Sequence, residues 1–143
     1  MNKIQIVIPQ HSNMTAQFED CEMVPPERLN DLEPSSCMLL HLGNCCDFLI
    51  NRFQVLQVAI SKLRYGGHII VEGTDYIDTA YAIVRGELNL EDVSTLLFYG
   101  RTNCVDFQTA KTQLQQFGLS IISNRLMQHK YSIRAMRPKP QLN

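Results

Sequence analysis

The sequence predicts a small α/β domain: a mixed, mostly parallel sheet with helices on both faces and an antiparallel β-hairpin at the C-terminus. Three observations predict it. Cys37-Met38-Leu39-Leu40-His41-Leu42 and His68-Ile69-Ile70-Val71-Glu72-Gly73 are short, largely apolar runs, the pattern of strands buried on both faces. Between them, apolar residues recur at helical spacing. Near the C-terminus, two strand-like segments, 119–124 and 130–137, are separated by only a few residues, as in a hairpin.

Composition bounds the answer. The chain has 143 residues, 45% of them hydrophobic, which suits one globular domain over 1–143 with a proper core. The net charge of −1 argues against a broad nucleic-acid footprint. No apolar run approaches the ~20 residues that span a bilayer. Lys3 is not followed by a long apolar stretch, so no signal peptide is expected. Five cysteines, an odd number with no secretory signal, read as free thiols in a reducing cytoplasm.

The elements follow in order. Ile4-Gln5-Ile6-Val7-Ile8 reads as a strand, and the polar stretch 9–17 as a loop. Residues 18–24 read as a short strand with Asp20 and Glu22 on one face and Cys21 and Met23 on the other. Pro25-Pro26 stops it, and 26–32 has room for a helical turn. Glu33-Pro34-Ser35-Ser36 is turn chemistry. After the 37–42 strand, Leu49, Phe53, Leu56, Ile60 and Leu63 form a helical stripe that Asn44 or Asp47 could cap. Lys62 and Arg64 suit its C-terminal dipole, and Gly66-Gly67 is expected to end it. Beyond the 68–73 strand, 74–85 reads as a helix with Ile77, Ala80, Tyr81 and Val84 inward. Asn89 can cap a helix over 90–99 ended by Gly100. Asp106 can cap another that carries Phe107, Ala110, Leu114 and Phe117 and closes at Gly118. Pro138 and Pro140 mark a frayed tail over 138–143.

This order of elements resembles the class I S-adenosylmethionine (SAM)-dependent methyltransferases. Four stretches carry the likeness, which runs from about residue 18 to residue 138. Asp20-Cys21-Glu22-Met23-Val24-Pro25 looks like the family's acidic strand end before a Pro-containing loop. Cys37-Met38-Leu39-Leu40-His41-Leu42-Gly43-Asn44 resembles the strand and loop that carry substrate-side residues. Lys62-Leu63-Arg64-Tyr65-Gly66-Gly67 resembles the turn usually written LKPGG, with Tyr65 in place of proline. Leu114-Gln115-Gln116-Phe117-Gly118-Leu119-Ser120-Ile121 followed by Tyr131-Ser132-Ile133-Arg134-Ala135-Met136-Arg137-Pro138 is similar to the family's last helix and antiparallel hairpin. The resemblance implies a truncated Rossmann-like scaffold.

One departure is as informative. The family grips its cofactor with a glycine-rich loop after the first strand, because the backbone there must turn with positive φ and approach the ligand closely. Here the first glycine is Gly43, and the strand at 4–8 runs into Pro9-Gln10-His11-Ser12-Asn13. Residues 1–17 are therefore a divergent N-terminal strand and loop. The stretch ahead of Cys37 has room for two strands and their loops, not for a whole cofactor-binding half. Without that half, the 37–42 strand needs a new neighbour. Either the strand at 4–8 moves in to leave a six-stranded sheet, or a second chain covers the edge.

Candidate chemistry is sparse. His41, Cys45 and Cys46 lack the spacing of a zinc site, so no metal is expected. Open α/β sheets bind ligands beyond the C-terminal ends of their strands, which brings His41, Gly43, Asn44, Asp75 and Tyr76 together as a candidate ligand pocket. The plain alternative is that Asn44 and Asp75 cap helices. Acid–base work by His41 would need a carboxylate within reach. Arg125, His129, Lys130, Arg134, Arg137 and Lys139 make the C-terminus basic, by default a solvated hairpin rim. No catalytic residue is assigned.

The expectation is a degenerate methyltransferase-like protein, cytoplasmic, that serves as a partner-binding or structural subunit with no cofactor. Its partner would be another protein chain or a second copy; nucleic acid and membrane are not expected. Two alternatives stand beside it: an active SAM-dependent enzyme completed by a dimer mate or second chain, and a small-molecule binding module.

Overall fold

A computed structural model of the chain describes residues 2–7 and 20–140. Six strands form one sheet in the order β2-β1-β3-β4-β6-β5. β1 (Asn2–Ile6) lies parallel to both β2 (Glu22–Val24) and β3 (Cys37–Gly43). β3 is parallel to β4 (Leu63–Thr74). On the far side of β4, β6 (Lys130–Met136) runs antiparallel, and β5 (Ser120–Met127) completes the hairpin at the edge. The sheet is thus mixed and mostly parallel, with the expected antiparallel ending. Of the two ways to cover β3, the chain uses its own β1: Ile4 sits opposite Leu40 and Gln5 opposite His41. Ile8 and the 9–17 loop lie outside the described residues.

Alternation along the strands sorts the sheet's two faces. Leu40, Ile69, Val71, Ile133 and Ala135 share one face and join Leu56, Ala59, Ala110 and Leu114 of two helices in a single buried cluster. Those helices are α1 (Arg52–Lys62) and α4 (Phe107–Gln116), which also meet through Phe53 and Phe117, ring centroids 4.8 Å apart. Each fully buried Leu or Ile in this layer contributes about 1.5–3 kcal/mol relative to leaving it in water. The other face carries Leu39, His41, His68, Ile70, Glu72 and Arg134.

Several boundaries differ from the sequence reading, each for a physical reason. The strand expected from residue 18 begins at Glu22; Phe18 lies outside the described residues, and Asp20 and Cys21 form a bend before it. Pro26–Asp31 then makes a 3-10 segment where one turn was expected. The long helix splits. Cys45–Phe48 is a short 3-10 turn, and α1 starts only at Arg52. Neither Asn44 nor Asn51 gives a side-chain cap, and Asp47 is drawn into the interior instead.

Gly66-Gly67 does not end α1, because β4 already begins at Leu63. The Gly66 amide donates to the Arg137 carbonyl and the Arg137 amide to that of Gly67, so the pair extends the sheet. A Cβ on Gly67 would lie 2.8 Å from the Cys37 carbonyl oxygen, so this close strand approach needs glycine.

The helix α2 (Tyr76–Val84) is rotated from expectation. Thr79 and Ala82 face inward at 0% exposure, while Ile77, Tyr81 and Val84 are 42%, 62% and 85% exposed. α3 (Leu90–Val93) has the expected Asn89 cap, completed by Asp92 into a capping box, and runs on as a wider π turn through Phe98. Asp106 caps α4 by accepting from the Thr109 amide. β5 and β6 meet at Gln128 and His129, with φ of 52° and 68°, the double left-handed turn that fits the twist of a hairpin.

Candidate functional site

The five residues expected to form a pocket all sit at the C-terminal ends of β3 and β4 or just beyond them. Asp75 is occupied there by structure. Its Oδ1 accepts from the Ile77 and Asp78 amides at 3.0 and 3.2 Å, capping α2, and its Oδ2 accepts from the Phe107 amide at 3.4 Å, at the start of α4. One carboxylate thus serves two helix N-termini, where its charge also suits the dipoles. Tyr76 opens α2 with its side chain half exposed. Gly43 closes β3 with φ of 55°, and Asn44 leads into the turn that follows.

His41 lies within β3, nearly buried. Its Nε2 is 3.6 Å from Glu72 Oε1, beyond hydrogen-bond range. Burial pushes the imidazole below its ordinary value and the nearby Arg134 adds to this, against an opposing backbone hydrogen bond. Burial likewise pushes the Glu72 carboxyl up, against Arg125 and Lys130. Both shifts favour the uncharged forms of the two groups.

The dominant polar cluster is one the sequence did not announce. Asp47 is fully buried where the chain leaves β3, between Arg52 and Arg101. Its Oδ2 accepts from the Thr74 amide at 3.2 Å and from Arg101 Nε at 3.3 Å, and its Oδ1 lies 3.7 Å from Arg52 Nη1. Arg52 reaches on to the Tyr131 hydroxyl at 3.4 Å and to Gln113 Oε1 at 3.3 Å. Arg101 stacks over the Phe48 ring and donates to the Thr95 carbonyl at 2.6 Å. The Asp47 carbonyl takes the Thr102 amide at 2.8 Å, and the Asn103 side chain ties down the Cys46 and Leu49 carbonyls at 2.9 and 2.7 Å.

Burial pushes the Asp47 carboxyl up; the Thr74 amide and both guanidiniums pull it back. Burial pushes the Tyr131 hydroxyl well above its ordinary value. Gly73 makes room for this cluster, since a Cβ there would fall 2.5 Å from the Tyr131 hydroxyl and 3.0 Å from Asp47 Oδ1. Chemically, the network pins β3, β4, α1, β6 and the segment before α4 together; it presents no nucleophile–base pair.

Two grooves flank α1. One of about 220 Å³ lies between it and the 26–31 segment, lined by Pro26, Leu29 and Val58 among others. The other, about 530 Å³, opens at its N-terminus between Ile50, Phe53, Asn103 and Gln113. Neither is lined by His41, Gly43, Asn44, Asp75 or Tyr76. Among the described residues no three His, Cys, Asp or Glu side chains gather as metal ligands, and all five cysteines are free thiols. No described helix is long and apolar enough to cross a membrane.

The basic C-terminus is partly spent inside the molecule. Arg134 donates to His68 Nδ1 at 2.8 Å, Arg137 to the Leu63 carbonyl at 2.6 Å, and His129 Nδ1 pairs with Asp78 at 2.7 Å.

No protein-family model and no curated protein sequence matches the chain. Solved structures do match in shape. A SAM-dependent methyltransferase from Archaeoglobus fulgidus is 14% identical with a TM-score of 0.63, over 93% of this chain and 75% of that one. An O-methyltransferase family protein from Burkholderia thailandensis gives 0.61 at 11% identity, over 85% of this chain. This chain spans only 37% of that protein's length. The putative methyltransferase of Haloferax volcanii, solved with the Trm112 methyltransferase activator, gives 0.60 at 6% identity over 94% and 68%. At such identities the shared property is the fold. It is a methyltransferase-like fold, covering most of this chain and only part of those chains.

Proposed function

We propose that this chain is a non-catalytic, methyltransferase-like subunit that works by binding another protein chain and carries no SAM of its own. The observation that carries this reading is the sequence that follows β1. That strand lies inside the sheet between β2 and β3, the place from which the resembled family sends its glycine-rich cofactor loop. Here the segment that follows contains Pro9 and no glycine before Gly43.

A second support is the crevice beyond β3 and β4. Its carboxylates are already committed, Asp75 to two helix caps and Asp47 to two arginines. Carboxylates held in this way do not fit a cofactor cradle. The Haloferax volcanii relative, solved as a complex with an activator protein, lends weight to work in partnership.

Isothermal titration with SAM tests the proposal. The expected result is no measurable heat from the isolated chain. Micromolar binding by a single copy would overturn it.

A further inference from the structure

The helix α2 has the periodicity of a core helix but presents its apolar face to solvent. At 100° per residue, Ile83, Tyr76, Ala80, Val84, Ile77 and Tyr81 fall within one arc of roughly 160°. All six are exposed. The sheet side receives only Thr79 and Ala82. A solvent-facing helix should show the reverse pattern, so the sequence is patterned for a second surface that the described residues do not supply.

From the exposed fractions and typical side-chain areas, the arc offers roughly 550 Å² of surface, at the upper end for the largest patch on a monomer and about two-thirds of what each partner gives a standard interface. Leu90, Phe98 and Tyr99, at 83%, 69% and 65% exposure on the next segment, add more apolar area.

We propose that α2 is a self-association surface, packing antiparallel against α2 of a second copy of this chain about a twofold axis. Three features select a second copy. The arc holds no charge, so covering it with itself buries none. Ala80 lies near the middle of α2, where a small side chain lets two helix axes approach closely. Antiparallel pairing also sets the bulky Tyr76 end of one helix against the Ile83–Val84 end of the other. This assignment rests on the partner-binding function proposed above and names the partner.

Sedimentation and light scattering of the full chain test it. The wild-type chain is expected to run at twice the chain mass in the micromolar range. Tyr81→Glu and Val84→Glu, at exposed positions, should keep the circular dichroism and melting of the fold while weakening the dimer at least ~10-fold. As an independent readout, Ala80→Cys should give a covalent dimer with a short bis-maleimide above any background from the partly exposed wild-type thiols Cys21 and Cys104.

A wild-type chain that stays monomeric at about 100 μM, a dimer unchanged in both glutamate variants, or no added cross-link at position 80 would overturn the assignment. SAM titration of the same samples separates the two ideas. A monomer that takes no SAM sinks self-association alone, and a chain that binds SAM sinks the non-catalytic reading whatever its mass.

Discussion

Asp47 is held among groups that would each be costly to leave alone. Replacing it with asparagine removes the anion between Arg52 and Arg101, two guanidiniums with almost no exposure. Breaking a buried pair in this way costs about 3–5 kcal/mol. We expect Asp47→Asn to lower the urea midpoint by a corresponding amount, with far-ultraviolet circular dichroism retained at low temperature.

His41 makes a prediction of opposite origin. Its imidazole is depressed below 6.5 by burial, so the unfolded chain binds the proton more readily than the folded one. Stability from this residue is present above the unfolded value and is lost as pH falls through about 6.5 toward the folded value. His68 is also depressed, by burial and then by Arg134, and adds with the same sign. Denaturation series between pH 7.5 and 5.5 should show falling stability, and His41→Gln should flatten the slope.

At the scale of elements, the rotated α2 gives the sharpest contrast. Measured in dilute solution, Ile77→Lys should change stability by no more than ~0.5 kcal/mol, as at ordinary surface sites. Ala82→Leu should cost about 1–3 kcal/mol, because added methylenes have no space on the buried side. Thermal melts of the two variants decide between this orientation and the one the sequence predicts.

The contrast also explains what could be read in advance. The strand runs at 37–42 and 68–73, the hairpin, the Asn89 and Asp106 caps and the place of Gly118 were legible because local chemistry alone specifies them. The break before α1 was not, since it depends on Asp47 meeting Thr74 and Arg101, remote in sequence. Periodicity located the α2 stripe correctly but could not say which body it faces. The Gly66-Gly67 pair resembled a helix stop and proved to be a sheet extension, because its hydrogen-bond partner lies near the C-terminus. Of the candidate pocket, the capping role of Asp75 followed from its position, whereas the Arg52–Tyr131 pairing left no local trace.

For the whole molecule, an open β3 edge gave the sequence its first reason to expect association. β1 closes that edge from within, and the apolar face left exposed is that of α2. The order β2-β1-β3-β4-β6-β5 has a consequence for synthesis. β4 is the longest described strand and lies inside the sheet, yet one of its two neighbours, β6, is made only after α2, α3, α4 and β5. Until Lys130–Met136 has emerged, Val71 and Ile69 border a vacant row of amides and carbonyls, an invitation to stray pairing. A chain stopped after Gly118 should therefore collect in the pellet, and full-length protein in the supernatant, when the two are expressed side by side. Translation of this polypeptide is a race in which β4 waits for a distant neighbour, and a nascent-chain chaperone would be most useful during that wait.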